Sequence, residues 1–112
     1  GVQTCALPIF TITEGVPVTY NDPALTQRML PTLMRAVGEK NVLLVEPSTV
    51  AEDFAFYQQK LPGMYVNIGV TPVGKDPATA AVSHSPNFFM DEAALAVGMR
   101  VMANLALNYL HQ

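Results

Sequence analysis

Cysteine is nearly absent from this chain. The single Cys5 leaves no partner for an internal disulfide and no cysteine cluster for a metal. Histidine is almost as scarce, and His84 and His111 alone cannot complete a zinc site. Only 13% of the residues are charged and the formal net charge is −3, so no basic footprint for nucleic acid is present. No uninterrupted apolar run approaches membrane-spanning length, and no membrane partner is expected. A Gly-rich phosphate loop is missing. Ser48, Ser83 and Ser85 lack the setting of a nucleophile elbow.

What is present is apolar. Half of the 112 residues are hydrophobic, more core material than one small domain needs. That excess implies surface that something else normally covers. There is no initiator Met, and residues 1–9 resemble a translated sequencing-library adapter. They are set apart from fold reasoning as an artefact, the alternative being a genuine strand start over Ala6 to Ile9.

Along the rest of the chain, Phe10-Thr11-Ile12-Thr13 alternates as a half-buried strand does. Asn21-Asp22-Pro23 opens a helix, with Asp22 as N-cap and Pro23 at the first helical position. Leu25, Met29, Leu33, Ala36 and Val37 follow at helical spacing. Pro31 is expected to kink that helix and Gly38 to end it. Val42-Leu43-Leu44-Val45 and Met64 to Val70 read as buried strands. Between them a loop leads into a short helix that Leu61-Pro62-Gly63 stops. After a long connection, Asp91 caps a last helix whose apolar face is Leu95, Met99, Met102, Leu105, Ala106 and Tyr109. Ala94, Val97, Val101 and Leu110 widen that face, so cover on more than one side is expected. Strands alternating with helices argue α/β layers.

Two places carry chemistry. Ser83-His84-Ser85-Pro86-Asn87-Phe88 presents an imidazole, the commonest side-chain metal ligand, from a loop stiffened by Pro86. The plain alternative is a polar surface histidine. Glu52-Asp53 pairs two carboxylates where a loop meets a helix, and the plain alternative there is helix capping.

Five stretches taken in order resemble one family: Asn21-Asp22-Pro23-Ala24-Leu25, Ala51-Glu52-Asp53-Phe54-Ala55-Phe56-Tyr57, Leu61-Pro62-Gly63, His84-Ser85-Pro86-Asn87-Phe88 and Asp91-Glu92-Ala93-Ala94-Leu95. The family is the metal-dependent amidohydrolases, which include hippurate hydrolase, auxin-conjugate hydrolases, aminoacylases and related carboxypeptidases. The resemblance runs from about Phe10 to Leu110. It implies a two-domain di-metal enzyme whose three-layer αβα catalytic domain is interrupted by a smaller lid domain. Residues 10–20 would then be the last strand of the lid and the hinge, and residues 21–112 the C-terminal part of the catalytic domain. The substrate class implied is N-acyl amino acids or related small amides and peptides.

By the same resemblance, His84 maps onto a ligand of a centre of two divalent metal ions, zinc or manganese. This chain would supply at most that one ligand. Glu52 and Asp53 would lie on the substrate side of the cleft or just behind the ligands, with no catalytic role carried over. A homodimer through the lid is implied, and cytoplasm and periplasm both remain open. One departure stands out: many relatives have glycine two residues before the Glu, where this chain has Val50. A positive φ there would be resisted by valine. The competing reading is a standalone α/β binding module without catalysis.

Overall fold

Asp22 and Gly38 bracket the first helix, α1, which spans Pro23–Val37. In the computed structural model, which describes residues 11, 13 and 15–111, the Asp22 Oδ1 accepts the Leu25 N–H at 2.7 Å. Gly38 has φ +89 and donates its N–H to the Met34 carbonyl at 2.8 Å. Only glycine adopts that geometry without a Cβ penalty, which is why the helix stops there. Pro31 has no N–H to donate, yet α1 continues through it as one helix.

The short helix α2 spans Phe54–Gln58 and the long helix α3 spans Ala93–Leu110. Asp91 supplies the cap of α3: its Oδ1 accepts the Ala93 N–H at 2.9 Å, and its carbonyl takes the Ala94 N–H at 3.0 Å. Glu92 makes no side-chain capping bond.

Helices α1 and α3 pack together, and the small core lies between them. Met29, Thr32 and Leu33 of α1 are buried, as is Val101 of α3 at 2% exposure. Thr32 satisfies its hydroxyl by accepting from Arg35 Nη2 at 2.9 Å. The Arg28 guanidinium sits 4.8 Å from the centre of the Tyr109 ring. Residues 94, 97, 98, 101, 105 and 108, one helical face, are the less exposed side of α3. Away from that face, the apolar residues Leu95, Met99 and Met102 stay exposed. Helix α3 is therefore apolar on two sides, and α1 covers one of them.

Counting uninterrupted apolar runs understates α3. Its 18 residues have a mean hydropathy of 1.3, enough by length and composition to cross a membrane. Arg100, Asn104 and Asn108 punctuate it, and α1 packs along one side. A core helix of a layered domain has the same composition.

The expected strands are a correction. Among the described residues there is no strand, so the three-layer αβα arrangement is not formed by them. Residues 42–45 and 64–70 carry no regular secondary structure and no ladder. A strand exists only through a neighbour that accepts and donates along its edge, and neither stretch has one here. Leu43, Leu44 and Val45 are exposed accordingly. Most of the strand expected over residues 10–13, and all of the adapter-like stretch 1–9, lie outside the described residues.

Many large apolar side chains are exposed, among them Leu43, Leu44, Val45, Val73 and Met99. The accessible area is 9915 Å², against about 6,000 Å² for a compact monomer of this mass. The radius of gyration is 20.0 Å, against about 13 Å for a compact chain of 100 residues.

Candidate active site

The Glu52-Asp53 loop is held by a circuit of hydrogen bonds. Asn21, one residue before the cap of α1, grips the backbone of Tyr65 from both sides. Its Nδ2 donates to the Tyr65 carbonyl at 2.8 Å, and its Oδ1 accepts the Tyr65 N–H at 2.7 Å. The Asp22 N–H adds a bond to the Gly63 carbonyl at 2.9 Å. The Tyr65 hydroxyl then donates to Glu52 Oε2 at 2.9 Å. Glu52 Oε1 accepts the Phe54 N–H at 3.1 Å, at the start of α2. At the other end of α2, Gln58 Oε1 accepts the Tyr20 N–H at 2.9 Å, which returns to the residue beside Asn21.

Packing inside this circuit is close. The Tyr65 ring lies 5.8 Å from the Phe54 ring, tilted by 42°. Ala55 is fully buried. A Cβ on Gly63 would come within 2.7 Å of Gln58 Cγ and 3.2 Å of the Phe54 ring. Glycine is needed there because side chains occupy the space.

The two acids differ in what they do. Both oxygens of Glu52 are engaged, so the capping role expected of the pair falls to this residue. Asp53 stands at the N-cap position but makes no side-chain capping bond and is exposed. The carboxylate next to it holds the Tyr65 phenol above the ordinary value of 10.0, first through the hydrogen bond, then through burial and charge. Val50 does not have a positive φ, so the substitution for glycine there strains nothing.

His84 lies on a separate turn. Ser85 N–H donates to the Val82 carbonyl at 3.1 Å, and Phe88 N–H to the Ser85 carbonyl at 3.0 Å. His84 occupies the third position of the first turn with φ +72, the sole positive φ among the described non-glycine residues. Histidine tolerates that region better than most side chains, but at a cost. The side chain is exposed and its ring makes no hydrogen bond among the described residues. An imidazole so presented fits one bond to a metal ion. Among the described residues no three His, Cys, Asp or Glu side chains converge into a metal-binding group.

The Glu52 loop and the segment after His84 are connected through residues 65–70. Tyr65 begins the apolar stretch 65–70, and Val70 ends it by accepting the Asp91 N–H at 2.9 Å. Asp91 lies just after the His84 turns. Tyr65 and Asn21 are the residues that sequence reasoning did not single out as site residues. Asn21 belongs to the helix-start stretch, but nothing in its spacing from Tyr65 marks the clasp.

Comparison with known proteins matches residues 5–108 to Peptidase family M20/M25/M40. The chain is 32% identical over 103 residues to the Bacillus subtilis protein YhaA, which carries the name of an amidohydrolase, covering 92% of this chain and 25% of that protein. It is 35% identical over 94 residues to the IAA-amino acid hydrolase ILR1-like 4 of Arabidopsis thaliana, covering 84% and 21%. It is 33% identical over 109 residues to thermostable carboxypeptidase 2 of Saccharolobus solfataricus, covering 97% and 26%. No solved structure matches. The chain thus spans about a quarter of the length of these relatives. With the match running over nearly its whole described length, the chain belongs to Peptidase family M20/M25/M40.

Proposed function

We propose that this chain is the C-terminal part of the catalytic domain of a di-metal amidohydrolase. The reaction is hydrolysis of the amide bond in N-acyl amino acids or related small peptides. The observation that carries the reading is His84, an unengaged imidazole held at positive φ in a turn, in a chain of this family. A left-handed non-glycine residue is a costly conformation that persists where a function or the surrounding structure maintains it.

On this reading His84 is one ligand of a centre of two divalent ions, zinc or manganese. When bound, such ions polarise a carbonyl and make water a competent nucleophile at neutral pH. This chain's own residues hold and orient. The turn at Ser85 fixes where the imidazole stands, and the cap at Asp91 fixes the end of the loop. Asp53 faces the substrate and Glu52 holds the loop. Residues 10–20 belong to the end of the lid and the hinge, and a homodimer would form through the lid domain.

The exposed apolar side chains support a larger domain over a standalone binding module. A self-sufficient module would cover Leu43, Leu44, Leu95, Met99 and Met102 with its own chain.

The test is metal content and turnover of an N-acyl amino acid by the full-length protein and by His84→Ala. Loss of turnover together with weakened binding of one metal is expected. Two metals and near-normal turnover in the variant would reject the assignment.

A further inference from the structure

We propose that Asn21 is a positioning residue: it anchors the end of the hinge, so that bending stops at Tyr20 and the Glu52 loop keeps its place when the lid moves. The lid half of this proposal rests on the amidohydrolase reading above, and the anchor itself rests on hydrogen bonds.

The chain changes character between residues 19 and 20. Among the described residues, 15–19 take part in no hydrogen bond. Val16 and Val18 are exposed, and the Thr19 Oγ1, although buried, has no partner among the described residues. The next three residues are each tied down. The Tyr20 N–H goes to Gln58 Oε1 at 2.9 Å. The Asn21 side chain meets Tyr65 at 2.8 and 2.7 Å. The Asp22 N–H goes to the Gly63 carbonyl at 2.9 Å. Rotation is cheapest where few bonds must break, and a hinge absorbs its change over a few such residues.

Asn21 makes the central tie because an amide carries a donor and an acceptor side by side. It meets the N–H and the carbonyl of one residue, as the neighbouring strand does in a hydrogen-bonded antiparallel pair. The bond from Asp22 to Gly63 extends that pairing. Aspartate in its place offers no donor, and a carboxylate oxygen would face the Tyr65 carbonyl.

The acidic loop hangs on this anchor from both ends. The Tyr65 hydroxyl reaches Glu52 Oε2 at 2.9 Å, ahead of α2. Gln58, the last residue of α2, reaches back to Tyr20. Helix α2 and its acidic entry are thus fixed against the residues where the hinge ends. Motion of residues 15–19 is not passed on to them.

Amide exchange in the full-length protein reads the anchor directly. Tyr20 and Asp22 should exchange at least tenfold more slowly than Val18 and Thr19. Asn21→Ala should speed exchange at Tyr65 about tenfold, the size of one lost hydrogen bond. Exchange at Phe54, which reports on Glu52, should also quicken. Met29 and Val101 in the core should not change, as they would if the variant merely lowered global stability. Asn21→Asp should be no better than Asn21→Ala, because the donor is gone. Even protection across residues 16–22 would overturn the anchor. So would wild-type exchange at Tyr65 or Phe54 in Asn21→Ala, equal acceleration in the core, or wild-type behaviour of Asn21→Asp.

Turnover reads the lid half. In the metal-loaded protein, Asn21→Ala should lower kcat/KM for an N-acyl amino acid about tenfold with metal content unchanged. A value within twofold of wild type, with Tyr65 exchanging faster, would overturn the link between anchor and lid. If the wild-type protein hydrolyses no N-acyl amino acid, the functional reading and the lid half fall together, while exchange still decides the anchor.

Discussion

The Tyr65 hydroxyl donates to Glu52 Oε2 at 2.9 Å across thirteen residues of sequence, and this bond shifts the phenol. The folded-state pKa lies above the ordinary 10.0. The contact's contribution is thus fully present below about pH 10 and is lost as the pH rises through the folded value. Ultraviolet titration of wild type and Glu52→Gln checks this. Tyr65 should ionise at lower pH once the carboxylate is neutralised, and an unchanged titration would show that the bond does not form.

Gly63→Ala tests the close approach inside the same circuit. Its new Cβ would meet Gln58 Cγ at 2.7 Å. Gln58 cannot retreat without loosening its bond to the Tyr20 N–H. A loss of about 1–3 kcal/mol is expected from overpacking, read by denaturant unfolding of the full-length protein. Stability equal to wild type would mean that the α2 region is looser than described.

Asp22→Ala should cost about 1 kcal/mol, the usual penalty for a lost N-cap. The Leu25 N–H loses its 2.7 Å acceptor, while the Asp22 backbone bond to Gly63 remains. Asp22→Asn should recover most of that loss, and an equal loss in both variants would contradict the capping account.

The isolated 112-residue chain should self-associate. Leu43, Leu44, Val45 and the outer face of α3 present apolar groups to water, and extended apolar segments without neighbours are templates for association. Analytical ultracentrifugation should show oligomers at micromolar concentration. A monodisperse monomer with cooperative unfolding would favour the standalone module.

Local signals made the helices legible. Asp22, Pro23, Gly38 and Asp91 each act within four residues of themselves, so their roles can be read directly and the structure agrees. The strands over 42–45 and 64–70 were legible only as apolar runs. Strand formation depends on a partner elsewhere, and no described residue supplies one. The face of α3 was half legible: the Leu95–Met99–Met102 stripe is apolar, but the stripe through Val101 is the one that meets α1. At the site, His84 and the acidic pair stood out by residue type. The difference between Glu52 and Asp53 did not, because one partner of Glu52 is the Tyr65 hydroxyl, thirteen residues away, whose backbone Asn21 clasps.

The central claim is that His84 binds metal. It is tested most directly by the metal stoichiometry of the full-length protein and of His84→Ala, with turnover of an N-acyl amino acid measured on the same samples. His84→Gly serves as a control, since glycine accepts the positive φ at no steric cost. The account predicts two metals in wild type, weakened binding of one of them in both variants, and a turnover loss of roughly 10²-fold or more, with His84→Gly at least as stable as His84→Ala. Full metal content and near-normal turnover in His84→Ala would contradict it.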